Sequence, residues 1–229
     1  MPDTIDKTRA MLERHHRDGA YFAQLMKETA ATRFDEDFWA AWEQWIAPVL
    51  GAQPVVLDLG TGPGSFLRML AERYPKGRGI GVECAPYMLD AIDELPPGTE
   101  VVMQDLHEPH LPLADASVDA ALAAVVLHEL TQPVRALQEV HRCLRPGGRL
   151  FVLDWVRAPL ALYLREQEQR VFDAQTSVGE LEDMFLHFVE HNRFTRDDLA
   201  YLLERIGFDV LNSAALKEGQ FARIVAQRR

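Results

Sequence analysis

The stretch PVVLDLGTGPG at residues 54–64 sets the fold of this chain. Its first six residues form an apolar, partly β-branched run, and the segment SFLRMLAERY that follows the glycines has helical periodicity. Glycine lets the backbone turn tightly and pass close beneath a bound ligand. The pattern therefore predicts a strand, a tight turn and a helix, with a binding site at the turn.

The same alternation of strand and helix continues along the chain. Further apolar runs are GRGIGVE at 77–83, TEVVMQD at 99–105, VDAALAAVVL at 118–127 and GRLFVLDW at 148–155. Strands alternating with helices indicate a mostly parallel sheet that helices cover on both faces. Residues 208–211 and 221–226 are predicted to close the sheet as an antiparallel hairpin through residues 217–219. The sequence thus predicts an α/β fold with a Rossmann-like, doubly wound sheet of seven strands.

Helical segments flank the predicted sheet. Residues 1–50 have apolar side chains at helical spacing, which predicts an N-terminal cap of two or three helices. Residues 51–229 are predicted to form the binding domain, with a helical lid inserted at about residues 158–192, before the sixth strand. The helix after the lid is predicted to start at Thr195 as N-cap and to stop at Gly207.

The composition excludes several classes of partner and site. Thirty-five acidic residues against 24 basic ones give a net charge of −11, and no basic stripe is present, which argues against nucleic acid and anionic membranes. No run reaches the roughly 18 apolar residues of a membrane span. The two cysteines, Cys84 and Cys143, form neither a disulfide framework nor a zinc motif, so a cytoplasmic location is expected.

The glycine motif DLGTGPG at residues 58–64 is the strongest sign of a ligand site, because an acidic residue follows at the right distance. Glu83 ends the second predicted strand, 23 residues after Gly60, where a carboxylate can accept hydrogen bonds from ribose hydroxyls. A dinucleotide fingerprint would require glycine at position 65, which is Ser65 here. The alternative is a tight loop beside a solvated strand end.

Four motifs together resemble the class I S-adenosylmethionine-dependent methyltransferases, in particular those of quinone biosynthesis and their small-molecule relatives. They are DLGTGPG, GVE, QDLHEPHLPLADASVDAAL and LRPGGRLFVLDW. The resemblance covers about residues 54–156 and does not include the flanking helices, which usually determine the choice of substrate. It implies S-adenosylmethionine as cofactor, a small-molecule methyl acceptor and release of S-adenosylhomocysteine.

The resemblance also implies cofactor contacts at matching positions. The methionine half would lie against Asp58, Gly60, Gly62, Gly64 and the backbone at Ala124, the ribose against Glu83, and the adenine against Cys84, Ala85, Gln104, Asp105 and Leu106. Asp105 is expected to accept a hydrogen bond from the adenine amine. Its alternative role is to cap its own loop, since Asp readily bonds nearby backbone.

The acceptor would lie at the carboxyl ends of the strands, where doubly wound sheets bind ligands. His128 is the candidate general base, with structural hydrogen bonding as the alternative, since aligning the reacting atoms can itself supply much of the rate. Candidate acceptor contacts are Glu129, Asp154, Arg157, Tyr21 and Trp39. For the last four, surface charge or helix packing is the alternative role.

Histidines occur in two groups, yet no metal site is expected. His187, Glu190 and His191 have the i, i+3, i+4 spacing of one helix face, without a further ligand of clear spacing. His15 and His16 are adjacent and are expected to point apart on a helix.

Three rival functions remain open at this stage. The first is a non-catalytic S-adenosylmethionine-binding module or scaffold, because a fold does not establish chemistry. The second is an NAD-linked oxidoreductase, which the position of the third glycine disfavours. The third is a methyltransferase acting on protein or nucleic acid, which the acidic balance disfavours.

Overall fold

The computed structural model describes residues 4–229 and contains one seven-stranded sheet. The strands are β1 (Val55–Leu59), β2 (Arg78–Glu83), β3 (Thr99–Met103), β4 (Val118–Ala124), β5 (Leu144–Trp155), β6 (Phe208–Leu216) and β7 (Phe221–Arg228). Their order is β3-β2-β1-β4-β5-β7-β6, and only β7 runs antiparallel to its neighbours, β5 and β6. The predicted fold class is confirmed.

Within the described residues, four α-helices precede the sheet. They are α1 (Thr4–His16), α2 (Gly19–Glu28), α3 (Ala30–Arg33) and α4 (Glu36–Trp45). Helical periodicity alone predicts two or three, because it does not show the breaks at Asp18 and Asp35. Asp18 caps α2 by accepting from the Tyr21 amide, and Asp35 caps α4 by accepting from the Phe38 amide.

Seven α-helices lie between the strands: α5 (Ser65–Arg73), α6 (Pro86–Asp90), α7 (Val134–Cys143), α8 (Leu160–Leu164), α9 (Glu168–Val171), α10 (Val178–His191) and α11 (Arg196–Ile206). Helices α8 to α10 occupy the predicted lid segment. Thr195 caps α11, and Gly207 ends it with φ +122°, as predicted. No helix within residues 4–229 has the length and apolar character needed to span a bilayer.

The sheet is buried on both faces, which explains its unbroken apolar runs. Leu57, Val152 and Leu137 of α7 belong to one fully buried cluster. On the opposite face Trp42 of α4 packs between Phe66 and Phe151. The N-terminal helices are thereby fixed to the sheet, and this places α1 to α3 above its carboxyl edge.

The closing hairpin turns at Lys217–Gly219, as predicted, but its strands extend beyond the predicted bounds. The extension of β6 includes two polar residues, the half-buried Asn212 and the exposed Ser213. An edge strand needs only one neighbour, so its side chains do not have to be apolar throughout.

Candidate cofactor and acceptor site

A cavity of about 390 Å³ lies at the carboxyl ends of β1, β2 and β4, beneath α1 to α3. This is the point where the strand order reverses, the usual ligand position in a doubly wound sheet. The predicted residues that line it are Asp58, Gly60, Gly62, Glu83, Cys84, Ala85, Gln104, Asp105, Leu106, Ala124, His128 and Glu129. Its volume is within the range of small-molecule sites, about 300–1,000 Å³.

The glycine turn after β1 forms the floor of this cavity. Gly60, Gly62 and Gly64 have φ values of +62°, +55° and +75°, a region that side chains other than glycine avoid. A Cβ on Gly60 would lie 2.4 Å from Cγ2 of Val126, whereas a Cβ on Gly62 would have only Met88 Sδ nearby, at 3.8 Å. The space above Gly62 is therefore a cradle for a ligand. Gly64 caps α5 and does not line the cavity.

Asp58 and Arg33 place an acidic and a basic side chain at one end of the cavity. Asp58 is buried and accepts a hydrogen bond from Thr61 Oγ1 at 2.6 Å. Burial raises the pKa of Asp58 to about 7, while the nearby Arg33 favours its charged form. Arg33, from α3, lines the cavity and was missed by the sequence analysis, because nothing local distinguishes it from a surface arginine.

Glu83 reaches the cavity from the end of β2. Its Oε1 accepts from the amides of Cys84 and Ala85, and its Oε2 accepts from the amide of Gly62 at 3.0 Å. Burial raises the pKa of Glu83 despite these bonds. A carboxylate has about four acceptor sites, so three backbone bonds leave one for the ribose hydroxyls that the sequence predicts.

At the end of the cavity where the sequence predicts the adenine, Asp105 is held by the N-terminal cap. Its Oδ2 accepts from Thr8 Oγ1 of α1 at 2.8 Å, and its Oδ1 accepts from the amide of His107 at 2.9 Å. These bonds outweigh burial and keep the pKa of Asp105 below its usual value. Asp105 therefore caps its own loop, the alternative role, while also facing the cavity.

Four predicted acceptor contacts lie outside the cavity lining. Tyr21 is 67% exposed on α2. Trp39 packs on Phe66, with Arg73 over its ring. Arg157 donates to the carbonyls of residues 192 and 193, and so ties the end of β5 to the end of α10. Asp154 is fully buried beneath the cavity wall.

A group of histidines and acids closes the other end of the cavity; we call His15, His16, His128, Glu129 and Glu190 the acceptor-side cluster. The Nε2 atoms of His15, His16 and His128 lie 3.2–3.3 Å from the same Oε1 of Glu129. The expectation that His15 and His16 point apart is wrong. Both residues lie in the last turn of α1, and each side chain is long enough for its imidazole ring to reach Glu129.

His128 is 3% exposed, with Nδ1 2.6 Å from Oδ1 of Asp154. Burial alone would lower the pKa of His128, but Asp154 and Glu129 outweigh it and raise that pKa to about 10. An imidazole in this state donates hydrogen bonds at neutral pH and does not accept a proton. The geometry thus matches the structural alternative for His128 more closely than the base.

The central part of the chain is similar to known methyltransferases. Residues 57–152 match a family model described as a methyltransferase domain. An uncharacterized 37.1 kDa protein in a transposon of Streptomyces fradiae is 43% identical over 105 residues, which are 43% of this chain and 30% of that protein. Demethylmenaquinone methyltransferase of Chlamydia trachomatis is 29% identical over 141 residues, 58% of this chain and 62% of that enzyme. The chain thus matches less than two thirds of either relative.

The fold agrees with that match. A crystal structure of a SAM-dependent methyltransferase from Aquifex aeolicus superposes with a TM-score of 0.63 at 20% identity, covering 92% of this chain and 98% of the other. The resemblance drawn from the four motifs is confirmed. Residues 57–152 match the methyltransferase domain model, and the chain has the fold of the S-adenosylmethionine-dependent methyltransferases.

Proposed function

We propose that this protein transfers the methyl group of S-adenosylmethionine to a small-molecule acceptor and releases S-adenosylhomocysteine. The observation that carries the proposal is the open cradle above Gly62, which lies between two buried carboxylates, Asp58 and Glu83, in one cavity. Any side chain at position 62 would project into this space, so only glycine leaves it open.

The charged end of the cavity fits the methionine half of the cofactor. An amino acid carries an ammonium and a carboxylate group, which Asp58 and Arg33 would hold respectively. Glu83 would accept from a ribose hydroxyl, and the buried Cys84 and Leu106 would contact the adenine. When bound, the cofactor supplies a methyl group on a positively charged sulfur, an activated donor.

The acceptor would approach from the acceptor-side cluster. Helix α1 covers the cavity through Leu12, which packs on Cys84 and Ala85, and so keeps bulk water from the reacting atoms. Alignment of donor and acceptor at about 3–3.5 Å can supply much of the rate in such a site. A covered cavity of this size suits a small molecule better than a folded macromolecule.

The location we propose is the cytoplasm. Cys84 and Cys143 are both free and buried, which fits a compartment that keeps thiols reduced.

The test is transfer of label from methyl-labelled S-adenosylmethionine into a small-metabolite extract, with S-adenosylhomocysteine affinity measured by calorimetry. Gly62→Arg should abolish both label transfer and S-adenosylhomocysteine binding, because the arginine side chain would fill the cradle. Gly51→Arg is the matched control, since a Cβ on the exposed Gly51 has no protein atom within 4 Å. Retained cofactor binding in Gly62→Arg would refute the site, and binding without label transfer would favour the scaffold alternative.

A further inference from the structure

The acceptor-side cluster has an unusual convergence of nitrogen atoms. The Nε2 atoms of His15 and His16 lie 3.3 and 3.2 Å from Oε1 of Glu129. One ligand atom from each of these three residues lies within 4.8 Å of the other two. His15 and His16 come from the end of α1, whereas Glu129 follows β4, so the fold brings these atoms together across the cavity mouth.

The opposite nitrogen of each ring is held by a second polar group. Nδ1 of His15 lies 2.6 Å from Oε2 of Glu190, and Nδ1 of His16 lies 2.5 Å from the hydroxyl of Tyr87. Histidines that bind metals almost always donate the N–H of the other ring nitrogen to a polar group, because that bond fixes the tautomer and the orientation of the ring. In the tautomer with the proton on Nδ1, Nε2 is the nitrogen that faces Glu129 and would bind the ion.

We infer that His15, His16 and Glu129 form a binding site for one divalent transition-metal ion at the acceptor end of the cavity. A tetrahedral ion with bonds of about 2.0–2.1 Å holds its ligand atoms about 3.3 Å apart. The two Nε2–Oε1 distances, 3.3 and 3.2 Å, match that edge length. His128 lies behind Glu129, with its Nε2 3.2 Å from the same oxygen, and positions the carboxylate.

The donor set selects the kind of ion. Two imidazoles and one carboxylate suit Zn²⁺ and related ions such as Co²⁺, whereas Mg²⁺ and Ca²⁺ prefer oxygen ligands alone. Three protein ligands leave one tetrahedral position open, which is the pattern of catalytic rather than structural zinc sites. All three ligands line the cavity, so we place the open position on the cavity side.

The role of the ion rests on the proposed methyl transfer. An acceptor hydroxyl or thiol bound at the open position would release its proton to solvent more readily, which leaves a stronger nucleophile. Its oxygen or sulfur would then form a bond to the methyl carbon while the bond from that carbon to the cofactor sulfur breaks and S-adenosylhomocysteine leaves. The acceptor class that follows is a small alcohol, phenol or thiol. With the methyl donor held above Gly62, the ion would fix the acceptor atom at the opposite end of the same cavity.

The test is metal binding by the full chain, measured without any methyl transfer. Protein treated with a chelator is titrated with Zn²⁺ in a calorimeter and with Co²⁺ under visible spectroscopy. We expect one equivalent of each ion, with the strong absorption bands of tetrahedral Co²⁺. Glu129→Gln and His16→Gln should weaken binding at least a hundredfold. His110→Ala, at an exposed histidine outside the cluster, should bind as the wild type does.

Two results would overturn the site: no Zn²⁺ uptake by the wild type, or equal uptake by both cluster variants. Weak absorption bands typical of octahedral Co²⁺ would also overturn the site. This measurement uses only the wild-type protein, so it does not depend on whether a variant folds. S-adenosylhomocysteine affinity, measured on the same samples, separates the two proposals. Metal binding without cofactor binding would refute the proposed function alone, and cofactor binding without metal binding would refute the metal site alone.

Discussion

Alanine substitutions at two glycines of the same turn should have different effects, one mainly on stability and the other mainly on cofactor affinity. In Gly60→Ala the new Cβ would lie 2.4 Å from Cγ2 and 2.8 Å from Cβ of Val126. Overpacking of this kind costs about 1–3 kcal/mol, and the left-handed backbone adds about 1–2 kcal/mol. We therefore expect Gly60→Ala to lower the free energy of unfolding by about 2–5 kcal/mol. Gly62→Ala should lose only the backbone contribution, about 1–2 kcal/mol, because its Cβ meets no close atom.

The order should reverse for cofactor affinity. The Cβ of Gly62→Ala would project into the cradle, so the affinity for S-adenosylhomocysteine should fall more than tenfold. Urea unfolding followed by tryptophan fluorescence gives the first quantity, and calorimetry below the unfolding transition gives the second. Equal losses of stability in the two variants, or unchanged affinity in Gly62→Ala, would refute the assignment of packing to Gly60 and ligand contact to Gly62.

Three further predictions concern the groups around the cavity. The unliganded Asp58 keeps its proton up to about pH 7, and a bound ammonium group needs the charged carboxylate. The affinity for S-adenosylhomocysteine should therefore rise about tenfold per pH unit up to pH 7 and then level off. A flat profile in the wild type, or the same slope in Asp58→Asn, would contradict this. Thr8→Val should lower the free energy of unfolding by about 1–3 kcal/mol, because it leaves a buried oxygen of Asp105 without its donor. Amide hydrogen exchange should therefore speed up in α1 before it speeds up in α5. Thr195→Ala should cost about 1 kcal/mol through the lost α11 cap, seen as a lower urea midpoint with unchanged slope.

The sheet and the cofactor end were predictable because their signals are local. Each strand is a short apolar run, and the glycine turn and Glu83 lie within one strand-helix-strand unit. The acceptor end was not predictable in the same way. His15 contacts Glu190 across 175 positions and His16 contacts Glu129 across 113, and no periodicity in a single segment indicates such contacts. The adjacent histidines were visible, but the helix rule that neighbours diverge applies to Cβ directions and not to the reach of two imidazole rings.

Helix α1 joins the two ends of the site. Thr8, Leu12 and His15 have the i, i+4, i+7 spacing of one helix face, and they contact the adenine-end loop, the cavity wall and the acceptor-side cluster in that order. Seven residues of helix span about 10 Å, a distance comparable to the length of a nucleoside. A ligand that orders the contact between Thr8 and Asp105 therefore also sets where His15 lies relative to Glu129. Cofactor binding and the geometry of the acceptor end should be coupled through this one helix, and each proposal predicts that the ligand of one end tightens the other.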